Sequence, residues 1–229
     1  MRVTSSSHAA RRKLMTEHAT KGAVVFVIDD DASIRSALKE LFETVGLKTE
    51  LYASGTAFLE NRIPDTLSCM VLDVRLPGTS GIQFQKELEE ADVEVPIVFV
   101  TAHGDIAMAV RAMKAGAVDF LTKPFSNQDM LDAVFAALQH DRVRREKQKS
   151  HSTLREYFET LSSREREVLA AVSAGYMNKQ IAAELGLSEV TVKVHRANAM
   201  RKMHARSLAD LVRMTELLGI AKPATMGVI

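Results

Sequence analysis

Cysteine is nearly absent from this chain of 229 residues, since Cys69 is the only one. A single thiol excludes a disulfide within the chain, and its place in an apolar stretch predicts a small buried side chain in a reducing compartment. Long apolar runs are missing too, because none approaches the roughly 18 residues that a membrane-spanning helix needs. The basic residues near the start are not followed by the apolar core of a secretion signal. These absences predict a cytoplasmic protein with no membrane partner.

The small net charge of +1 conceals an uneven distribution of the two signs. Residues 23–140 carry 18 acidic and 9 basic side chains, whereas residues 141–229 carry 10 acidic and 16 basic ones. A length of 229 residues is enough for two domains. An acidic domain followed by a basic one suggests a cation site in the first and an anionic partner for the second.

Regular patterning starts at Ala23. Residues 1–22 are polar, lack periodicity and are predicted to form a disordered tail, in which Met15 is a second candidate start. From Ala23 onwards, short apolar runs alternate with helix-like segments. The apolar runs are residues 24–28, 47–52, 70–72, 97–100 and 119–121. For residues 23–140 this alternation predicts an α/β doubly wound, flavodoxin-like fold with a five-stranded parallel sheet covered on both faces.

A charge-rich segment without Pro or Gly, residues 141–158, follows the sheet domain. It is predicted to form a solvated helical linker that extends the fifth helix, and a plain disordered linker is the alternative. Residues 159–229 then form a second, all-α domain.

Polar side chains follow four of the predicted strands. Asp29 and Asp30 follow the first strand, Asp73 the third, Thr101 the fourth and Lys123 the fifth. The carboxyl ends of parallel strands meet at one rim, where ligands of such folds bind. We therefore expect these side chains to lie close together.

Three consecutive carboxylates, Asp29 to Asp31, repel one another unless a cation lies between them. Asp31 is predicted to cap the next helix instead of binding a ligand. Asp30 and Asp73 supply the hard oxygen ligands that suit Mg²⁺. Because Lys123 adds a point charge for a phosphate oxygen, the combination favours phosphoryl transfer to an acyl oxygen.

The segments VIDDDASIR, VLDVRLPGTSG, VTAHG and AGAVDFLTKPF together resemble the receiver domain of two-component response regulators. The resemblance covers the sheet domain and implies that Asp73 accepts a phosphoryl group from a sensor histidine kinase. It also implies Mg²⁺ as the cofactor, bound by Asp29, Asp30, Asp73 and the backbone carbonyl of Arg75, with Asp29 acting mainly through a bound water. Lys123 would pair with the phosphoryl group.

The same resemblance implies a switch beside the acceptor. Thr101 matches the hydroxyl that moves to the phosphate, and Ala102 follows it in the phosphate-binding group. Phe120 matches the aromatic ring that turns inward. Many receivers have Tyr at this position, and Phe120 fills the same space without offering a hydroxyl. Pro124 matches the cis Lys-Pro bond of the family.

Four short helix-like segments occupy residues 159–220. The first opens with a capping box of Ser162 and Glu165, and the second starts with Asn178 as its predicted cap. A glycine-containing turn leads to a third helix, residues 188–203, which is rich in Lys and Arg. Two short helices joined by such a turn are typical of a helix-turn-helix.

Helical geometry separates two faces of the third helix. Val192, Ala199 and Met203 fall on one stripe, which is predicted to face the domain core. The opposite face is predicted to contact DNA, together with the start of the preceding helix. The predicted DNA-contacting residues are Lys179, Thr191, Lys193, Val194, Ala197, Asn198 and Arg201.

The sequence LSSREREVL…NKQIAAELGLSEVTVKVHR resembles the LuxR-type DNA-binding domain. A receiver followed by this domain is the arrangement of the NarL/FixJ family, which implies a transcription factor and not an enzyme. Phosphorylation of Asp73 is expected to promote a homodimer that binds double-stranded DNA, with RNA polymerase as a further partner.

Two other functions remain open from the residues themselves. The chain has the Asp29-Asp30-Asp31 pattern of an Asp-nucleophile phosphohydrolase of the haloacid dehalogenase type, although Asp73 would then have no role. The second alternative is a binding module whose receiver is not phosphorylated. The presence of the acceptor, the acids, Thr101 and Lys123 argues against it.

Overall fold

The structure is a computed structural model that describes residues 22–61, 63–102 and 106–220. The chain divides into two compact units between Arg144 and Arg145. The predicted tail, apart from Gly22, lies outside the described residues, as does the C-terminal end after Ile220. Within the described ranges, no helix is both long and apolar enough to cross a membrane.

The first unit is built on a five-stranded parallel sheet, as predicted. Its strands are β1 (Val24–Ile28), β2 (Lys48–Tyr52), β3 (Ser68–Asp73), β4 (Ile97–Thr101) and β5 (Asp119–Thr122). Their order is β2-β1-β3-β4-β5, with every neighbouring pair parallel. The apolar runs form buried strands because helices cover both faces, and β1, β3 and β4 are buried along their whole length.

Side chains of alternate residues in the buried strands point to opposite faces of the sheet and pack into two hydrophobic cores, one on each face. The helices of this unit are α1 (Ala32–Glu43), α2 (Gly55–Leu59), α3 (Gly81–Glu90), α4 (Ile106–Lys114) and α5 (Asn127–Glu159). On one face, Val25 and Val27 pack with α1 and α5. On the other face, Phe26 and Ile28 pack with α2, α3 and α4. The doubly wound fold predicted from the sequence is therefore confirmed.

Helix α5 is 33 residues long and includes the whole predicted linker, which is helical as expected. One residue departs from the prediction of a solvated linker, because Asp141 is fully buried. Its Oδ2 accepts a hydrogen bond from the backbone N–H of Ser68 at 2.9 Å, and its Oδ1 pairs with Arg144 at 2.6 Å. Arg144 also pairs with Glu94 at 2.6 Å. These contacts fasten α5 to the first residue of β3.

The second unit contains four short helices after the end of α5. They are α6 (Ser163–Ser173), α7 (Asn178–Leu185), α8 (Glu189–Lys202) and α9 (Leu208–Leu217). The capping box of Ser162 and Glu165 is present. The prediction that Asn178 caps α7 is wrong, because Met177 occupies the cap position and Gln180 Oε1 accepts its backbone N–H at 2.9 Å.

We predict that Asp141→Ala lowers the free energy of unfolding by about 2–3 kcal/mol, because it leaves a buried N–H and part of the Arg144 charge without a partner. Urea unfolding followed by far-UV circular dichroism measures the change. The matched control is Asp132→Ala, an exposed Asp on the same helix, which should change stability by less than about 0.5 kcal/mol. Equal stability of the two variants would contradict the anchoring role.

Candidate metal centre and nucleic-acid interface

Three carboxylates meet at the carboxyl ends of β1 and β3. These strands are neighbours, with Ile28 paired to Leu72, so the residues that follow the pair, Asp29 and Asp73, lie side by side. Carboxylate oxygens of Asp29, Asp30 and Asp73 all lie within 4.8 Å of one another. Asp29 and Asp73 are buried and Asp30 is exposed, so the cluster opens to solvent on one side.

The ammonium group of Lys123 bridges the two buried carboxylates. Its Nζ lies 2.7 Å from Asp29 Oδ2 and 2.6 Å from Asp73 Oδ2. Burial raises the pKa of Asp29, and the hydrogen bond from Lys123 offsets this only in part. Burial also lowers the pKa of Lys123, but its hydrogen bonds to Asp29 and Asp73 outweigh burial and raise it. The two carboxylates therefore favour the charged form of Lys123.

Backbone N–H groups hold the second oxygen of each buried carboxylate. Asp29 Oδ1 accepts from the N–H of Asp31 at 2.9 Å, and Asp73 Oδ1 accepts from the N–H of Arg75 at 2.8 Å. Arg35 donates to the backbone oxygen of Asp29. Both carboxylates are thus held in place on both oxygens. Arg35 was not predicted as part of this site, and only its position one helical turn into α1 could have suggested the contact.

The donor set of this pocket fits a hard divalent cation. Three carboxylates at this spacing provide oxygen ligands of the kind that Mg²⁺ takes, and the exposed side leaves room for the waters that it keeps. Asp29, Asp30 and Asp73 could hold such an ion. Arg75, whose peptide is hydrogen-bonded to Asp73, lies next to this group. The pocket is therefore an acidic site at the predicted rim of the sheet.

The predicted switch residues lie on the two strands beyond β3. Thr101 is the buried last residue of β4, and its backbone oxygen accepts the N–H of Lys123 at 2.7 Å. Ala102 follows it and is exposed. Phe120 is a half-buried residue of β5 that packs against the core next to α2, α3 and α4. The bond between Lys123 and Pro124 is cis. The structure thus places Asp29, Asp73, Thr101 and Lys123 at the carboxyl ends of their strands, whereas Phe120 lies within β5, opposite Phe99 of β4.

Asp31 belongs to the helix and not to the pocket. Its Oδ1 accepts the N–H of Ser33 at 2.7 Å, which makes it the N-cap of α1, as predicted. This hydrogen bond lowers the pKa of the Asp31 carboxyl. Because Asp31 is used as a cap, the arrangement does not favour the phosphohydrolase alternative.

A second candidate site lies on α8 of the C-terminal unit. Val192, Ala199 and Met203 are buried, which confirms the predicted inward stripe. Before α8, Gly186 ends α7 in the left-handed conformation and Ser188 caps α8 by accepting the N–H of Thr191 at 3.0 Å. These features form the turn between the two helices of a helix-turn-helix.

The predicted DNA-contacting residues lie on α7 and α8 and differ in exposure. Lys179, Lys193, Val194, Ala197 and Arg201 are exposed. Asn198 and Thr191 are half-buried, and the Thr191 hydroxyl lies 2.8 Å from the Ser188 hydroxyl. Both the backbone N–H and the hydroxyl of Thr191 therefore contact the cap residue Ser188. Met177 and Val190 are two further exposed apolar residues of this unit.

Glu165 fixes α8 against α6. It accepts the backbone N–H of Ser162 at 2.8 Å and the ammonium of Lys202 at 2.6 Å. The hydrogen bond from Lys202 lowers the pKa of Glu165. One nearly buried carboxylate therefore completes a helix cap and holds the end of the candidate DNA-contacting helix.

Comparison with known proteins finds two family models in this chain. Residues 25–135 match the family model of the response regulator receiver domain, and residues 159–215 match that of the luxR family of bacterial regulatory proteins. Nodulation protein W of Bradyrhizobium diazoefficiens is 56% identical over 206 residues, or 90% of each chain. Transcriptional regulatory protein FixJ of Azorhizobium caulinodans is 43% identical and covers 86% of this chain and 93% of that protein. The chain belongs to the NarL/FixJ family of two-component response regulators.

As a member of this family, the protein is a response regulator that acts in transcription through a receiver domain and a LuxR-type DNA-binding domain. Its partners are a histidine kinase and DNA. The solved structure of response regulator StyR is 49% identical and covers 85% of this chain and 98% of that one, with a TM-score of 0.74. Receiver domains bind metal at an acidic pocket, and this chain has a cluster of three carboxylates, Asp29, Asp30 and Asp73.

Proposed function

We propose that this response regulator is controlled by phosphorylation of Asp73 by its sensor histidine kinase. The observation that carries the proposal is the contact between Asp73 and Lys123 at the end of a central strand, inside a cluster of three carboxylates. Asp73 is the member of that cluster whose strand lies at the middle of the sheet. Its carboxylate is held by the Arg75 N–H and the Lys123 ammonium and is oriented before any donor arrives.

The transfer itself breaks the P–N bond of a phosphohistidine and forms a P–O bond to a carboxylate oxygen of Asp73. A carboxylate oxygen attacks phosphorus directly and forms an acyl phosphate. Lys123 sits where it can move from the carboxylate to an oxygen of the incoming phosphoryl group. The rate of transfer then depends mainly on aligning the attacking oxygen, the phosphorus and the leaving nitrogen, and on neutralising the charge of the phosphoryl oxygens.

Mg²⁺ is the cofactor that fits this proposal. Asp29, Asp30, Asp73 and the carbonyl of Arg75 would hold it, with Asp29 acting mainly through a water. When bound, the ion neutralises negative charge on the phosphoryl oxygens.

The response to phosphorylation would pass through Thr101, Ala102 and Phe120. Thr101 is the last residue of the strand beside β3 and directly follows Val100, the partner of Asp73 in the sheet, so its hydroxyl would contact a phosphate on Asp73. Phe120 lies on the next strand and would turn inward as the hydroxyl leaves its space. A phosphoryl group on Asp73 biases this pair between two arrangements.

We further propose that the phosphorylated receiver forms a homodimer through α4, β5 and the start of α5. The surface of α4 supports this, because Ile106, Val110 and Met113 are 86%, 45% and 46% exposed. A row of exposed large apolar side chains on one helix is typical of an interaction surface. The switch residue Phe120 lies on the strand next to α4 in the chain, so the switch and the surface share one region.

In the DNA-binding domain, α8 would enter the major groove. Lys193 can reach guanine acceptors, Val194 can touch a thymine methyl group, and Asn198 can pair with adenine. Lys179 and Arg201 would contact phosphates. The methyl side chain of Ala197 is too short to read a base by hydrogen bonding. Such a regulator works in the cytoplasm, where RNA polymerase is the further partner through which bound protein changes transcription.

We expect that Asp73→Asn abolishes phosphorylation, because it removes the nucleophilic carboxylate with little change in shape. Intact-mass measurement after incubation with acetyl phosphate and Mg²⁺ should find one added phosphoryl group on the parent and none on the variant. Hydroxylamine should remove the group from the parent, as expected for an acyl phosphate. Undiminished labelling of Asp73→Asn would contradict the assignment.

A companion variant, Asp30→Ala, separates the metal from the acceptor in the same experiment. It keeps Asp73 and should lose most Mg²⁺ affinity, measured by calorimetry, and slow the labelling. Asp132→Ala removes an exposed carboxylate elsewhere in the receiver and should behave as the parent does. Mg²⁺ binding by Asp30→Ala that equals the parent's would show that the metal site lies elsewhere.

We expect the parent chain to shift from monomer to dimer in sedimentation experiments when a stable phosphoryl mimic is bound. Ile106→Glu should remain a monomer with the mimic, because it places a charge on the exposed apolar surface of α4. Gln83→Glu, an exposed change on α3, serves as the control and should dimerise. An unchanged monomer of the parent, or a dimer of Ile106→Glu, would rule out this surface.

We expect Lys193→Ala to weaken DNA binding by about 1–3 kcal/mol and to relax discrimination at one base position. Titrations at several salt concentrations on matched and mutated sites measure both effects. Lys147→Ala, which removes an exposed charge from α5, is the control. If Lys193 contacts a phosphate instead, binding should weaken equally on all sites and the salt slope should fall by about one. No change in either quantity would show that α8 does not read the DNA.

A further inference from the structure

Gly81 lies in contact with the backbone of the proposed phosphoryl acceptor. It is the first residue of α3, directly after the cap Ser80. A β-carbon on Gly81 would collide with the backbone oxygen of Asp73 and would lie 3.1 Å from the Cα of Val74. The start of α3 can therefore approach the end of β3 this closely only because residue 81 has no side chain.

Two further contacts hold the same junction together. The N–H of Gly81 donates to the backbone oxygen of Val74 at 2.8 Å. Arg75 and Ser80 form an antiparallel bridge. The loop between β3 and α3 is thus closed at its base, and it contains Arg75, whose N–H holds Asp73 Oδ1. Any displacement at Gly81 is passed to the acceptor and to the peptide that orients it.

Neither backbone conformation nor helix formation requires glycine at this position. Gly81 is not among the glycines with positive φ, whereas Gly78 in the same loop has φ of 87°. Alanine is the better helix former, and the first turn of a helix accepts it without strain. The remaining reason for glycine at position 81 is that the backbone of Asp73 leaves no space for a side chain there.

We infer that Gly81 is a positioning residue for phosphoryl transfer, acting through the backbone of Asp73. The inference rests on the proposed function of Asp73. An added methyl group must push the acceptor backbone away, because a peptide oxygen at the end of a buried strand cannot swing aside as a flexible side chain can. The carboxylate then shifts relative to Lys123, and Asp73 and the Arg75 carbonyl no longer present their oxygens to Mg²⁺ in the same place.

The test compares Gly81→Ala with the parent in the full chain. Calorimetry on the unphosphorylated protein should find Mg²⁺ affinity reduced about 10-fold. The rate of labelling by acetyl phosphate at saturating Mg²⁺ should fall by about 10- to 100-fold. Far-UV circular dichroism should show a folded protein, since the collision is confined to one junction.

The matched control is Leu88→Ala, which removes a buried side chain from the far end of the same helix. It should destabilise the receiver while leaving Mg²⁺ affinity and labelling rate close to those of the parent. Equal losses in both variants would assign the effect to stability and overturn the inference.

Parent-like Mg²⁺ affinity and rate in Gly81→Ala would also overturn it, and so would an unfolded variant, since glycine would then serve folding. If the parent itself takes no phosphoryl group, the proposed function fails, and the Mg²⁺ affinities alone decide whether Gly81 positions Asp73.

Discussion

The ion pairs between Lys123 and the two buried carboxylates are the interaction on which the receiver depends. The parallel sheet brings Asp29 and Asp73 to the ends of adjacent strands, where two unit charges 4 Å apart repel by about 4 kcal/mol at an effective dielectric constant of 20. Lys123 compensates for this repulsion at 2.7 and 2.6 Å. One ammonium group faces three carboxylates in this cluster, and the excess of acidic groups suits the site to a cation.

The strand that carries Asp73 is held at both ends. At its start, the buried carboxylate of Asp141 accepts the N–H of Ser68, and at its end Asp73 is held by Lys123 and the Arg75 N–H. Asp141 belongs to α5, the helix that leaves the receiver and continues into the second unit. Strand β3 and helix α5 therefore share a direct contact, made by a carboxylate whose burial is offset by Arg144.

In the DNA-binding domain, one carboxylate joins two helices. Glu165 completes the cap of α6 and pairs with Lys202 at the end of α8, so it fixes one helix against the other. The buried residues of α8 are few, and its outer face is left to Lys193, Val194 and Arg201. A helix held firmly by its inner stripe and its last turn can present that face in a constant orientation.

Much of this could be predicted from the sequence because it depends on local rules. The alternation of apolar runs and helices gave the fold, helix periodicity gave the inner stripe of α8, and the meeting of parallel strand ends gave the group of Asp29, Asp73 and Lys123. Asp31 was predicted as a helix cap from its position directly before α1, which is also a local rule. Contacts between residues far apart in the chain were decided by the tertiary structure alone. The burial of Asp141 depends on where Ser68 lies, and the lack of space at Gly81 depends on how closely α3 approaches β3. No pattern within a short segment encodes such distances, since they arise only when the whole sheet and its helices pack.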